Sequence, residues 1–261
     1  MAALQSPQAG AAMNDEVTAN KRRSRVLVAA FFLSAFVVAS ILTLLIGALL
    51  GVPAVLAVVV AVLVALGATV AAYRQADAVA LRTSRAAPAP VEDYARYHNI
   101  VEGLCIASGL PKPRLYVIED QAPNAFATGR NPRTAALAVT SGLLDKLNRI
   151  ELEGVVAHEL SHVKSYDVLV STLAVTMVGV ALLGVPSLVD PVMARVVGGR
   201  RETLADLSAV EMTRYPPGLI SALEKLGDGA TDVHARPATA HLWIEQPSPP
   251  IEERIALLRE L

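Results

Sequence analysis

The sequence predicts an α+β fold in which an N-terminal transmembrane helical hairpin precedes a mainly helical domain with a small β-sheet. Residues 26–73 contain no charged side chain. A membrane-spanning helix needs about 20 apolar residues, so this run holds two helices and a short connection. From residue 92 onward the composition is that of an ordinary soluble domain, in which strand-like runs are followed by helical patterns.

The composition limits what the chain can bind. Its 261 residues are 53% hydrophobic and 18% charged. A soluble domain usually has about 25% charged residues, so part of the chain is predicted to lie in a lipid bilayer. The 23 basic and 24 acidic side chains give a formal charge of −1, which excludes a strongly basic nucleic-acid-binding protein. The single cysteine excludes an intrachain disulfide and a cysteine-based zinc cluster.

The first apolar run, residues 26–50, is too long for a signal peptide, whose apolar core has about 7–15 residues. The Gly-Val-Pro sequence at 51–53 is a natural break between two retained helices. Basic residues flank the pair on both outer sides and are absent from the connection. The positive-inside rule therefore predicts a multi-pass plasma-membrane protein whose following domain is cytoplasmic. Residues 1–25 are predicted as a disordered cytoplasmic leader and residues 74–91 as a linker.

The domain after the linker begins with an amphipathic helix. Apolar side chains recur at three- and four-residue spacings from Tyr94 to Cys105, and Gly109 is a natural end for the helix. Three short runs rich in strand-forming residues follow, at 115–118, 125–128 and 135–140. The sequence therefore predicts a sheet of about three strands before the next helix.

That next helix contains the pattern H-E-x-x-H at residues 158–162. His158 and His162 are four residues apart and lie on one helix face, so both imidazoles can bind one metal ion, for which zinc is expected. Glu159 is placed to take a proton from a metal-bound water. Two solvent-facing histidines would be the alternative. The surrounding residues are largely apolar, however, and polar side chains in such surroundings need partners.

A zinc site with two histidines needs a third protein ligand. The residues after His162 do not continue to a third histidine at the extended spacing. Glu202 and Asp206 lie one turn apart on a predicted helix, so Glu202 is the candidate ligand and Asp206 the candidate hydrogen-bond partner of a ligand histidine. A solvated helix face is the alternative. If Glu202 does not bind, Asp206, His234 and His241 remain as candidates.

Together these features resemble the HtpX-type membrane zinc metalloproteases, relatives of the CAAX prenyl proteases. The resemblance extends over most of residues 26–261. The segments that support it are, in order, the two N-terminal spans, N-A-F-A-T-G at 124–129, H-E-L-S-H at 158–162, Asp167, E-T-L-A-D at 202–206, A-V-E-M-T at 209–213 and P-P-I-E-E-R-I at 249–255.

The resemblance implies a zincin-like (gluzincin) peptidase domain over residues 92–261 that binds one zinc ion per chain. It implies that His158, His162 and Glu202 are the zinc ligands and that Glu159 is the general base. The enzyme would then hydrolyse peptide bonds with a zinc-activated water.

The resemblance also implies the kind of substrate. Asn124 would help to hold the substrate backbone, and the strand after it would pair with an extended polypeptide. Arg254 would lie near the cleft. The implied activity is internal cleavage of membrane or misfolded proteins, as part of quality control during stress.

One departure from the family pattern leaves other functions open. Ser248 stands where the family often has a histidine that can stabilise an oxyanion, and His241 is a candidate substitute. A membrane scaffold or regulator that keeps the zinc site but has weakened catalysis is therefore one alternative. A prenyl-protein processing protease with a narrow substrate range is another.

A second departure is the short segment before Glu202. Common family members have two long hydrophobic segments there, whereas this chain has only 34 residues, 168–201. One membrane crossing would separate Glu202 from the histidines, and two crossings need about 40 apolar residues. Residues 168–198 are therefore predicted to form a membrane-associated hairpin, broken at 184–187, that does not span the bilayer.

Overall fold

The structure is a computed structural model that describes residues 7–178, 201–227 and 250–261. The helices are α1 (Pro7–Leu50), α2 (Ala54–Thr83), α3 (Ala95–Ser108), α4 (Ser141–Lys146), α5 (Arg149–Lys164), α6 (Asp167–Leu173), α7 (Arg201–Thr213), α8 (Pro216–Gly227) and α9 (Ile251–Arg259). A π-helical turn, Ala174–Val178, continues α6. The strands are β1 (Ala87–Pro88), β2 (Arg114–Ile118), β3 (Ala125–Thr128) and β4 (Ala136–Thr140). This arrangement confirms the predicted α+β class.

The helices α1 and α2 form the predicted hairpin. α1 ends at Leu50 and α2 begins at Ala54, so the break falls at the Gly-Val-Pro connection. Both helices are long and apolar enough to cross a membrane. Their large apolar side chains point outward, with exposed fractions of 66% for Leu45 and 62% for Leu63. A soluble domain does not usually expose an apolar surface of this extent, which is typical of contact with lipid.

The predicted disordered leader at residues 1–25 needs correction over residues 7–25, because α1 begins at Pro7. The buried side chain of Asn20 donates a hydrogen bond from Nδ2 to the backbone oxygen of Ser165 at 3.1 Å. The ammonium of Lys21 lies 4.2 Å from the centre of the Tyr166 ring. Residues before the apolar run extend an existing helix and so need no new nucleus, and these two contacts hold the extension against the domain.

The linker predicted at residues 74–91 also needs correction. α2 continues to Thr83, and β1 pairs with β2 in antiparallel orientation. Arg114 on β2 donates a hydrogen bond from Nη2 to Oδ2 of Asp77 on α2 at 2.8 Å. Because Asp77 is buried, this ion pair fixes the end of the hairpin to the sheet.

The sheet has the strand order β1-β2-β4-β3. β2 runs parallel to β4, and β3 runs antiparallel to β4. The three predicted strands correspond to β2, β3 and β4 within one residue, and β1 is the addition. All residues of the inner strand β4 are buried, and so are those of β3, which lies at the edge of the sheet.

The helix with the H-E-x-x-H pattern, α5, lies at the centre of the domain. It packs against α3, α7, α8 and β3, and the side chains from Val155 to Val163 are buried. Gly154 allows the close approach of α8, since a Cβ atom at this position would lie 2.8 Å from the backbone nitrogen of Leu219. The motif is therefore held on a helix that is packed on several sides.

The first part of the predicted membrane-associated segment packs beside the hairpin. α6 and the π-helical turn contact both α1 and α2. The buried residues of this contact are Phe31, Ala76, Leu169, Leu173 and Met177. The predicted break at 184–187 and the return of the hairpin lie outside the described residues, so the hairpin stays a prediction.

Replacing Gly154 with Ala is expected to destabilise the domain, because the added methyl group would overlap the backbone of α8. Overpacking of this kind costs about 1–3 kcal/mol, which should lower the apparent Tm by about 2–4 °C for each kcal/mol. Gly103→Ala on α3 is the matched control, since nothing lies within 4 Å of a Cβ there. Thermal unfolding in one detergent compares the variants, and equal Tm values would contradict the close contact.

Candidate metal centre

The N-terminus of α5 is fixed by a reciprocal cap. Asn148 Oδ1 accepts hydrogen bonds from the backbone nitrogens of Ile150 and Glu151, and Glu151 Oε2 accepts one from the backbone nitrogen of Asn148. Glu151 also accepts hydrogen bonds from Ser221 and Lys225 of α8. These contacts fix the position of the helix two turns before the motif.

Three buried side chains converge where α5 meets α7. Suitable ligand atoms of His158, His162 and Glu202 all lie within 4.8 Å of one another. The Nε2 atoms of the two histidines are 3.2 Å apart. Glu202 Oε2 lies 3.2 Å from His158 Nε2, and Glu202 Oε1 lies 3.7 Å from His162 Nε2. The structure thus brings together the three residues predicted as metal ligands.

The Nδ1 atom of each histidine lies next to a buried carboxylate. His158 Nδ1 lies 2.8 Å from Asp206 Oδ1, and His162 Nδ1 lies 2.9 Å from Asp167 Oδ2. Tyr166, with φ of 60°, turns the chain between α5 and α6. This turn places Asp167 next to the Nδ1 atom of His162. When each Nδ1–H faces its carboxylate, both Nε2 atoms present unprotonated lone pairs to each other. This is the orientation that metal-binding histidines need.

The donor set fits a metal ion. Without a cation, two imidazole lone pairs and a carboxylate would face one another in a buried site. Glu202 Oε2 is a buried atom for which the described residues supply no hydrogen-bond partner. A buried polar atom of this kind is rare unless a ligand satisfies it. Two imidazoles and one carboxylate are ligands that a divalent transition metal prefers.

The charges of the site favour a divalent cation as well. Among the described residues, four buried carboxylates of the centre face two buried guanidiniums. The carboxylates are those of Glu159, Asp167, Glu202 and Asp206, and the guanidiniums are those of Arg201 and Arg254. With neutral histidines, this set has an excess of two negative charges. One divalent ion would neutralise the excess, whereas unbalanced buried charge is costly.

The pKa values of the site follow from burial and these neighbours. Burial lowers the pKa of His158, but the hydrogen bond with Asp206 and the nearby carboxylate of Glu202 outweigh burial and raise it to about 9. Burial raises the pKa of Glu202, whereas Arg201 and the two histidines lower it well below its usual range. Burial raises the pKa of Glu159, and the nearby histidines offset only part of that effect. The centre therefore favours a positive charge beside the histidines.

Two arginines hold the carboxylates in place. Arg254 donates from Nε to Asp206 Oδ2 and from Nη2 to Asp206 Oδ1, each at 2.7 Å. Arg201 Nε lies 2.8 Å from Glu202 Oε1 and 3.3 Å from Asp167 Oδ2. Arg254 is 1% exposed, so its described contacts belong to this network and not to an exposed cleft surface. The sequence reasoning gave no role to Arg201, and its only signal was its position next to a candidate ligand.

The other predicted site residues lie around this network or outside the described part. Glu159 is buried on α5 between the histidines. Asn124 is buried directly before β3, a strand that packs against α5. Its Oδ1 atom accepts a hydrogen bond from the backbone nitrogen of Ala125 at 2.9 Å. His234, His241 and Ser248 lie outside the described residues.

Comparison with known proteins identifies the family. Residues 90–261 match the sequence profile of Peptidase family M48. The chain belongs to this family. The matched range includes the converging residues His158, His162 and Glu202 and also Asn124 and Arg254.

Similar curated proteins share the name "Protease HtpX homolog". The protein from Dictyoglomus thermophilum is 39% identical over 72% of this chain and 76% of its own length. The protein from Thermoanaerobacter pseudethanolicus is 36% identical over 73% of this chain and 80% of its own length. The protein from Tropheryma whipplei is 40% identical over 65% of this chain and 73% of its own length.

The family and the structure together give the general activity. This M48 peptidase is an HtpX-type metalloprotease that hydrolyses peptide bonds, and its substrates are polypeptides. The two apolar helices and the HtpX relatives indicate a membrane protein. The cluster of His158, His162 and Glu202 is suited to its metal ion.

Replacing Glu202 with Ala is expected to lower the bound metal from one ion per chain to less than about 0.2, because two imidazoles alone hold a divalent ion weakly. Glu211→Ala is the matched control, since Glu211 is an exposed carboxylate on the same helix. Elemental analysis of detergent-purified protein measures both. Full metal retention in the Glu202 variant would exclude this residue as a ligand.

Asp206→Asn is expected to weaken metal binding about 10–100-fold without removing a ligand. The amide has no charge to stabilise the Nδ1–H of His158, and it leaves Arg254 with a poorer partner. Competition with a chelator of known affinity measures the change. Glu224→Gln is the control, since Glu224 forms an exposed pair with Arg259, and equal affinities in the two variants would contradict the positioning role.

Proposed function

We propose that the protein is a membrane-anchored zinc endopeptidase in which His158, His162 and Glu202 bind one zinc ion and Glu159 is the general base. The observation that supports this most directly is the convergence of two Nε2 atoms and one carboxylate at a buried point. Zinc accepts this ligand set in a tetrahedral site and leaves one position for water. When bound, it would lower the pKa of that water and polarise the scissile carbonyl.

Glu159 has the properties required of the general base. It is 1% exposed and lies between the two ligands on the same helix. Burial raises its pKa, so the carboxylate takes up a proton more readily than an exposed glutamate does. The same side chain can then deliver that proton to the leaving amine. Asp206 and Asp167 orient the histidines, and Arg254 and Arg201 hold these carboxylates, so all four are positioning residues in this proposal.

We infer that an extended substrate pairs with the outer edge of β3. In antiparallel pairs, hydrogen-bonded and non-hydrogen-bonded positions alternate. The backbone nitrogen of Thr140 donates to the backbone oxygen of Asn124, so Asn124 is at a hydrogen-bonded position. By alternation, the N–H and C=O groups of Ala125, Ala127 and Gly129 point away from β4. These outward groups would be available to a further strand.

Two of these outward donors are already satisfied. The backbone nitrogen of Ala125 donates to Asn124 Oδ1 at 2.9 Å, and that of Gly129 donates to Thr172 Oγ1 at 3.1 Å. Among the described residues, none forms a hydrogen bond to the outward backbone groups of Ala127, so the stretch proposed for the substrate is centred there. Asn124 would lie at one end of this stretch. This is a more limited role than a direct hydrogen bond to the substrate backbone.

The proposed substrates are membrane proteins and misfolded proteins. Recognition through backbone hydrogen bonds depends little on side chains, so it suits substrates of varied sequence that expose extended segments. The hairpin keeps the site near the bilayer. The basic residues that flank the hairpin favour a cytoplasmic peptidase domain, and we assign the multi-pass protein to the plasma membrane. Cleavage of such substrates would serve quality control during stress.

Glu159→Gln is expected to keep the metal and to lower proteolysis at least about 100-fold, because the amide preserves the shape of the side chain but cannot take a proton. Cleavage of unfolded casein by detergent-purified protein, with the metal content measured in parallel, tests the proposal. Glu153→Gln, one turn or more before the motif on the same helix, is the control. Casein cleavage near the parent rate in the Glu159 variant would refute the assignment.

A comparison of substrates separates the alternatives. The proposed enzyme should cut unfolded casein at several sites and lose this activity with a chelator, because metal-dependent hydrolysis would not require one sequence. A narrow prenyl-protein protease would instead cleave a prenylated C-terminal peptide at least about tenfold faster than casein. A scaffold with lapsed catalysis would retain the metal and cleave neither substrate. Product mapping by mass spectrometry, with Glu159→Gln as the blank, distinguishes the three.

A further inference from the structure

A groove of about 690 Å³ lies between α1, α2 and α6, separate from the metal centre. Much of its lining is apolar and comes from all three helices. The apolar residues used below are Val28, Phe32, Leu66 and Leu169. The groove begins where the charged residues of α1 give way to the uncharged run that starts at residue 26. It therefore extends from the head-group level of a bilayer into the hydrocarbon.

The polar end of this groove is cationic. Lys21 and Arg25 lie one turn apart on α1, line the groove and are exposed. Neither has a carboxylate within 4 Å among the residues that the structure describes. Arg23 on the same helix, by contrast, lies 3.8 Å from Glu16 and does not line the groove. Among the described residues, Lys21 and Arg25 thus lack the kind of carboxylate partner that Arg23 has.

A buried hydroxyl group lies between these cations. Ser24 also lines the groove, its side chain is 3% exposed, and the described residues supply no hydrogen-bond partner for its Oγ atom. A serine in a helix commonly donates to a carbonyl of the preceding turn, as Ser34 does to Phe31 at 2.8 Å. An unpartnered buried hydroxyl is unfavourable, and a ligand with an acceptor oxygen would satisfy it.

We propose that this groove binds one anionic phospholipid. The phosphate lies between Lys21 and Arg25, Ser24 Oγ donates to a phosphate or ester oxygen, and an acyl chain follows the wall from Val28 to Phe32. Phe32 is seven residues beyond Arg25, which is about 10 Å along a helix. This distance lies within the roughly 15 Å of one hydrocarbon leaflet. Basic pockets between membrane helices are known to bind anionic head groups.

The dimensions and lining favour a lipid over other occupants. A free phosphate would use the cations and the hydroxyl but not the apolar wall. A transmembrane helix of another protein spans about 30 Å of hydrocarbon, three times the length of this wall. The proposal does not depend on the peptidase chemistry, because none of these residues belongs to the metal centre.

Native mass spectrometry of the delipidated full chain in detergent tests the proposal. One phosphatidylglycerol should bind per chain, at least about tenfold more tightly than phosphatidylcholine. The double variant Lys21→Gln/Arg25→Gln should lose at least about tenfold in affinity for phosphatidylglycerol, because it removes both cations proposed to contact the phosphate. The double variant Arg22→Gln/Arg23→Gln removes the same charge outside the groove and should change affinity less than about twofold.

A second pair of variants tests the apolar wall. Ala29 lines the groove, whereas the neighbouring Ala30 does not, and both are exposed. Ala29→Trp should reduce lipid binding at least about tenfold, and Ala30→Trp should leave it unchanged; size-exclusion profiles verify that both fold. Equal losses in the matched variants, or equal affinity for the two lipids, would overturn the proposal. Competition by glycerol 3-phosphate at lipid concentrations would also overturn it, since this compound has the charge without the chains.

Discussion

The Nε2 atoms of His158 and His162 face each other at 3.2 Å in a buried site, and the rest of the centre depends on a positive charge that keeps this contact favourable. Each histidine has its Nδ1 atom next to a buried carboxylate, so in a neutral imidazole the proton belongs on Nδ1 and the facing Nε2 atom has a lone pair. A metal ion would satisfy both lone pairs, and the carboxylate of Glu202, 3.2 Å from His158 Nε2, is placed to complete its ligands. The position of α7 beside α5 therefore serves the chemistry as well as the packing of the core.

The cost of burying these charges explains why distant parts of the chain meet here. Arg254 lies 48 residues from Asp206 in sequence, yet the two side chains form a two-point ion pair with almost no exposure to water. A buried ion pair is favourable only when its geometry is good and its remaining hydrogen bonds are satisfied. Removal of either partner would leave an uncompensated charge beside His158. The helix α9 is thereby tied to the reaction centre although it supplies no ligand.

The parts of the structure that the sequence predicted are those with a local signal. The spacing of His158 and His162 predicted a shared metal, and the lack of a third ligand pointed to Glu202, because both arguments need only helix periodicity. The burial of Arg201 depends on partners from another helix, and no local pattern distinguishes it from a surface arginine. The helical leader escaped prediction for the same reason, since Asn20 bonds to a residue 145 positions away. The two-residue strand β1 is too short to have a periodicity.

The contacts between the hairpin and the domain have a consequence for where the enzyme can work. Asp77 pairs with Arg114, β1 covers the edge of β2, and Leu173 packs against the hairpin. Loss of the hairpin would remove the ion pair and the Leu173 contact, and a cut after β1 would also leave the edge of β2 unpaired, which promotes aggregation. Release of the domain from the membrane helices is therefore expected to destabilise it. The peptidase domain would then meet its polypeptide substrates while it remains joined to the two apolar helices.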